Sequence, residues 1–198
     1  MLKIALTGGV GSGKSLACFY IEQNGYNVIY ADKMAREITA PGGKAIPYIR
    51  QHFGDQYILP DGSMDRKKMR NLVYNNPDAM AVLKAGTTDV VISDVEEIVR
   101  VSEERGVKAL FFEIPLLFES GSQKDYDQVW VITADIDTRI ARVMERDGFT
   151  REEVLNVIKN QISEQKRLDL ADEVIYNDGV AEELEQQIEK LLIKNNLK

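Results

Sequence analysis

Apolar residues in this chain fall into two patterns: short unbroken runs, and longer charged stretches where they recur every three or four positions. The first pattern suits strands covered on both faces, and the second suits amphipathic helices. Lys3-Ile4-Ala5-Leu6-Thr7 reads as a buried strand, and a glycine cluster over residues 8–13 follows at once. Over residues 14–23, Leu16, Ala17, Phe19, Tyr20 and Ile21 form one helical face, which Gly25 closes as a C-terminal cap. Asn27-Val28-Ile29-Tyr30 is a second strand, with Asp32 at its carboxyl end. Strand, glycine loop, helix and strand make the opening of a parallel α/β sheet.

Residues 33–105 break this rhythm. They read as helical, with turns at Ala40-Pro41-Gly42-Gly43, Leu59-Pro60-Asp61-Gly62 and Asn75-Asn76-Pro77. That is too long for a simple crossover and predicts an inserted helical subdomain. Strands resume over residues 107–113 and 128–132, both almost continuously apolar. Residues 135–166 are helical and highly charged, Glu173-Val174-Ile175-Tyr176 is a last short strand, and residues 180–194 form an amphipathic closing helix on Leu184, Ile188, Leu191 and Leu192.

Composition narrows the function classes. The 198 residues carry a net charge of −7, which argues against a nucleic-acid partner. One cysteine, Cys18, and one histidine, His52, exclude a disulfide framework and any cysteine-rich or multi-histidine metal centre. No apolar run approaches the ~20 residues of a membrane span, and with so few cysteines and no leader the expected compartment is the cytoplasm. Cys18 and Trp130 read as core residues, and His52 as a surface or capping histidine.

The strongest motif is Gly8-Gly9-Val10-Gly11-Ser12-Gly13-Lys14-Ser15, a match to G-x-x-x-x-G-K-[ST] between a strand and a helix. Glycines let successive backbone N–H groups turn inward on a phosphate, and the helix adds its positive end. Lys14 supplies charge for the β- and γ-phosphates, and the Ser15 hydroxyl is suited to Mg²⁺. The motif alone does not choose among a kinase, a GTPase and a motor ATPase. No Asn-Lys-x-Asp guanine-reading sequence is present, and Phe111-Phe112-Glu113-Ile114-Pro115 is a poor match to a strand ending in Asp-Glu. A small-molecule kinase remains. Glu113, at a strand's carboxyl end, is either a holder of magnesium-bound water or a structural residue.

Arg139, Arg142 and Arg146 recur at helical spacing, which predicts a basic face suited to neutralising transferred charge; a solvated charged face is the alternative. Asp32 stands where ligands bind in open parallel sheets. It either caps the helix begun by Lys33-Met34-Ala35-Arg36 or orients an acceptor hydroxyl, and the two roles are compatible.

These residues together resemble the dephospho-coenzyme A kinase family over nearly the whole length. The likeness rests on the phosphate loop, Asp32 with Ala35-Arg36, Asp61-Gly62-Ser63-Met64-Asp65-Arg66 with Met69-Arg70, and Asn76-Pro77. It continues through Pro115-Leu116-Leu117-Phe118-Glu119, Arg139, Arg142, Arg146-Asp147, Gln161, Arg167, Ala171-Asp172, Val174-Ile175, Asn177 and Gly179. The resemblance implies transfer of the ATP γ-phosphoryl group to the ribose 3′-hydroxyl of dephospho-CoA, with Mg²⁺ as the metal. It implies an α/β phosphate-loop kinase fold in three layers, with a five-stranded parallel sheet. The core would comprise residues 1–32, 106–134 and 172–198, the acceptor-binding helical insert residues 33–105, and the lid residues 135–171. It assigns Asp32, Lys14, Arg139 and Arg142 to catalysis. Gly11, Ser12, Gly13, Lys14, Ser15, Leu16, Arg146 and Asn177 would hold the nucleotide, with Gln161 and Arg167 near the lid or adenine. Asp32, Arg36, Arg70, Pro115, Leu116 and Leu117 would hold the acceptor. The expected partners are dephospho-CoA alone, with no nucleic acid and no membrane, and the expected state is a monomer or small homo-oligomer.

Two positions depart from the family pattern. Thr88-Asp89 stands where the family has His-Pro, and Leu16 replaces a common hydroxyl residue. A kinase of another nucleotide, or a binding module that has lost transfer, are the rival readings; the first predicts phosphorylation of nucleoside monophosphates, the second ATP binding without turnover.

Overall fold

The computed structural model describes residues 1–74 and 76–198. Two compact units emerge, one of residues 1–30 with 106–198 and one of residues 31–105. The first unit opens with β1 (Leu2–Thr7), α1 (Lys14–Gln23) and β2 (Val28–Tyr30). The second consists of α2 (Ala31–Glu37), α3 (Ile46–Phe53), α4 (Arg66–Val73) and α5 (Pro77–Glu104). The chain then returns to the first unit with β3 (Ala109–Glu113), α6 (Leu117–Ser120), β4 (Gln128–Thr133), α7 (Ile136–Asp147), α8 (Arg151–Lys159), α9 (Glu164–Asp169), β5 (Glu173–Tyr176) and α10 (Ala181–Lys194).

The five strands form one parallel sheet in the order β2-β3-β1-β4-β5. Alternation along the strands explains its two covered faces. Ile4, Leu6, Phe111, Trp130, Ile132 and Ile175 point to one side, where Ala17, Cys18 and Ile21 of α1 and Leu184, Ile188 and Leu192 of α10 meet them. Ala5, Val129 and Val131 point to the other, against Leu117 of α6 and Leu168 and Ala171 beyond β4. Trp130 is fully buried and meets Phe111 edge to face at 5.4 Å. Central β1 thus delivers the glycine loop at the sheet's carboxyl edge. Downstream, Val10 of that loop packs against Ile140, Val143 and Val154 of α7 and α8.

Within the second unit, Ile38, Ala45, Ile49, Met69 and Val73 form a separate core, with Leu83, Val90 and Val91 of α5 against it. Asp65 and Asn76 cap α4 and α5 by accepting from Lys68 N and Ala79 N, and Pro77 takes the first helical position, where its missing N–H costs nothing. Asn75, part of one turn signal, lies outside the described residues. Without the family's proline, α5 runs unbroken for 28 residues, with Thr88 and Asp89 exposed on its surface. Gly86 is needed there for contact: an added Cβ would meet the Tyr48 ring of α3 at 2.0 Å.

β3 is shorter than the sequence predicts, whereas β1 and β4 each extend one residue further. β3 begins at Ala109, and Lys108 instead offers its carbonyl to Leu2 N. α2 starts at Ala31, so Asp32 sits inside its first turn and is not its N-cap; a carboxylate there still favours the helix's positive end.

Candidate active site

The loop between β1 and α1 is shaped by close approach. Gly11 has φ +76, and a Cβ on it would lie 2.5 Å from the backbone oxygen of Arg139, so both conformation and space demand glycine. Gly13 precedes α1 in the left-handed region, and no side chain caps the helix. Leu16 N donates to Gly13 O at 3.0 Å, which leaves the N–H groups of Lys14 and Ser15 to whatever fills the loop.

Three side chains from far along the chain fix the loop. Val10 is gripped on both sides of its peptide: Gln161 Oε1 accepts from Val10 N at 3.1 Å, and Arg139 Nε donates to Val10 O at 3.0 Å. Asn177, buried just past β5, donates through Nδ2 to Ser12 O at 2.9 Å. The remaining guanidinium nitrogen of Arg139, Nη2, lies over Gly9, where a Cβ would be 2.0 Å away. Arg139 and Arg167 are both buried, and both donate to one oxygen of Glu164, at 2.6 and 2.5 Å.

Two buried polar atoms at the loop have no hydrogen-bond partner among the described residues, Ser12 Oγ and Arg142 Nη1. Ser12 Oγ borders Gly8, and Arg142 Nη1 borders Gly13. Native proteins rarely strand buried donors, so a hydroxyl and a guanidinium left open on a glycine cradle fit an anionic ligand such as a polyphosphate. Lys14 Nζ donates to Gly8 O at 2.9 Å. Burial holds the Lys14 ammonium below the usual lysine range, while Glu113 opposes that shift, and an arriving phosphate would favour the charged form further. One turn on, burial pushes the Cys18 thiol up to about 12, which leaves it a packed, unreactive residue.

Ser15 is exposed at the start of α1, with its hydroxyl chemistry suited to a hard cation. Among the described residues no cluster of three or more His, Cys, Asp or Glu side chains is placed to hold a metal. A magnesium ion fits here only as an ion carried by a nucleotide.

Several residues expected at the site occupy other positions. Arg146 is exposed and bound to Asp147 through two hydrogen bonds, so the three arginines of α7 do not share one environment: Arg139 is buried, Arg142 half-buried and Arg146 outside. Leu117 is fully buried in the core under the sheet, while Pro115 is half-buried and Leu116 is 53% exposed. Leu117 therefore cannot touch an acceptor. The Leu16 side chain packs on the main core, leaving only its backbone for a nucleotide. Asn177 spends its amide on the loop. In the second unit Asp32 and Arg36 are exposed one turn apart on α2, and Arg70 is exposed near the end of α4. Arg66 joins the end of α2 to α4 by donating to Ala35 O at 3.3 Å and Thr39 Oγ1 at 2.6 Å. Sequence reasoning missed Glu164, whose one signal is its place three residues before Arg167 on a helix.

Comparison with known proteins bears on this arrangement. The dephospho-CoA kinase family model matches residues 2–197. A relative from Cupriavidus pinatubonensis, a dephospho-CoA kinase, is 42% identical over 196 residues, covering 96% of this chain and 93% of its own. The crystal structure of TT1252 from Thermus thermophilus superposes with a TM-score of 0.79 at 29% identity, covering 98% of this chain and 97% of the other. Dephospho-CoA kinase from Campylobacter jejuni shares the fold, with a TM-score of 0.63 at 24% identity and coverage of 98% and 96%. With a glycine loop built for phosphates and a family match from end to end, the chain is a phosphate-loop kinase and belongs to the dephospho-CoA kinase family.

Proposed function

We propose that this chain transfers the γ-phosphoryl group of ATP to the ribose 3′-hydroxyl of dephospho-CoA, with the following division of labour. Backbone N–H groups of Gly11, Gly13, Lys14 and Ser15 and the hydroxyl of Ser12 hold the phosphates. Lys14 bridges the β- and γ-groups, and Arg139 and Arg142 neutralise charge as it spreads over the transferring oxygens. Ser15 would hold Mg²⁺, which supplies further neutralisation of the phosphates when bound. Phosphoryl transfer has a loose transition state, so positioning and charge carry most of the rate. Asp32 need only orient the hydroxyl and take its proton late. Residues 31–105 provide the acceptor site, with Arg36 and Arg70 available for its phosphates.

The observation that carries this reading is the pair of buried donors at the glycine loop, Ser12 Oγ and Arg142 Nη1 of α7, that have no partner among the described residues. We place the reaction in the cytoplasm and assign the chain a monomeric or small homo-oligomeric state. A single buried cysteine supports that compartment, as does the lack, among the described residues, of a helix long and apolar enough to cross a membrane. The test is ADP release with ATP and Mg²⁺, with and without dephospho-CoA, in the native chain and Asp32→Asn. Stimulation by dephospho-CoA that collapses in the variant is expected. Stimulation that survives would reduce Asp32 to a helix-end residue, and ATP binding with no stimulation would overturn the acceptor.

A further inference from the structure

The carboxylate of Glu164 is the common anchor of three groups around the phosphate loop. Its Oε1 accepts from Thr133 Oγ1 at 2.5 Å, at the end of β4. Its Oε2 accepts from Arg139 Nη1 at 2.6 Å and from Arg167 Nη1 at 2.5 Å. Both arginines are 3% exposed, whereas the Glu164 side chain keeps 32% of its surface. Two buried guanidinium groups on one oxygen repel each other. Burial and the nearby Arg139 hold Arg167 below the usual arginine range, while Glu164 acts in the opposite sense. Glu164 also sets the rotation of Arg139: with Nη1 on Glu164 and Nε on Val10 O, the planar fork has one orientation, and Nη2 falls over Gly9.

We infer that Glu164 is a positioning residue for phosphoryl transfer, which aims Arg139 at the phosphates by holding it and Arg167 on one shared carboxylate beside the loop. This rests on the reading of Arg139 as a phosphate contact. Glu164 itself does not touch the nucleotide. Its removal leaves two buried cations without their shared anion and frees Arg139 to turn off the loop.

The test uses steady-state kinetics of the full chain, with thermal unfolding to count folded enzyme. Glu164→Gln is expected to lower kcat at least tenfold per folded molecule, with KM for dephospho-CoA within twofold of native, and Glu164→Asp is expected to recover part of the loss. Should Glu164→Gln not fold, Glu164→Gln/Arg167→Gln keeps the local charge of the triad at its native sum while still removing the anchor. It is expected to fold and to turn over at least fivefold more slowly. Arg139→Met separates the inference from the reading beneath it. A slow Arg139→Met beside a native-like double variant would overturn the role of Glu164 alone. Native turnover in Arg139→Met would overturn the reading of Arg139 and this inference with it. A loss of kcat in Glu164→Gln that only tracks the folded fraction would make Glu164 a stability residue and overturn the proposal.

Discussion

Asn177→Leu keeps the side chain's volume and removes its one donor to the phosphate loop. In the native chain that donor holds Ser12 O at 2.9 Å, with both residues buried, Asn177 at 4% exposure and Ser12 at 0%. The amide nitrogen also fills the space beside Gly13, where a Cβ would be only 2.0 Å from it. No water can slip in to repair the bond after the swap. A stranded buried carbonyl costs ~1–3 kcal/mol. At a shift of ~2–4 °C for each kcal/mol in a chain of this size, a loss of ~2 kcal/mol lowers the Tm of the nucleotide-free chain by ~4–8 °C. If the loop relaxes instead of the whole fold, ordering it again is charged to ATP binding, and ~2 kcal/mol weakens the affinity ~30-fold. Thermal unfolding with and without ATP, together with calorimetric titration of ATP, reads both. Were the nucleotide-free Tm and the ATP affinity both unchanged, the view of Asn177 as a strut for the loop would be refuted.

Lys14 gives a prediction with a definite sign. Its folded-state pKa lies below the ordinary 10.5 because burial disfavours the charged form. That penalty on the empty chain is complete below the folded pKa and fades as pH rises through the window up to 10.5. Lys14→Met should therefore match or exceed the native Tm without nucleotide at neutral pH, while losing ATP binding; native ATP affinity should fall on raising pH into that window, and a flat titration would count against the assignment. Arg142 and Arg146 should separate sharply. Arg142→Met should lower kcat by ~10³-fold, as befits a charge-neutralising arginine, whereas Arg146→Met should stay within threefold because Arg146 is exposed and already paired with Asp147. Equal losses in the two variants would restore the single basic face that the spacing suggested.

Much of the fold could be read from the chain because local pattern and tertiary burial agree. The run Lys3-Ile4-Ala5-Leu6-Thr7 is apolar at every inner position since β1 is the central strand and has no solvent face. The glycine loop was equally legible, since its spacing is set by backbone geometry near a phosphate and tolerates little variation. The surroundings of the loop were not. Arg139, Arg142 and Arg146 sit three and four residues apart, yet α7 packs Ile140 and Val143 inward and so carries Arg139 under the loop and Arg146 out to water. Leu117 belongs to a sequence that carries the family likeness, but as the first residue of α6 it packs beneath the sheet against Ala5, Val129 and Val131. Glu164 was invisible for a different reason. A glutamate three residues before one arginine is a weak pattern in a charged stretch, and its value comes from Arg139 and Thr133, which only the fold brings to it.

The grip on Val10 and Ser12 has a consequence for the order in which the site comes into being. The motif itself is finished at Ser15, long before its fastenings in the order of synthesis. Its fastenings are Arg139, Gln161 and Asn177, separated from their loop partners by 129, 151 and 165 residues. The central strand also lacks its β4 neighbour until residue 128 has been made. A nascent chain on the ribosome therefore displays the phosphate signature without possessing the pocket until residues 139, 161 and 177 have followed. Contacts of such long separation close late and slowly, and the capacity to bind nucleotide arrives all at once after Asn177 has been made.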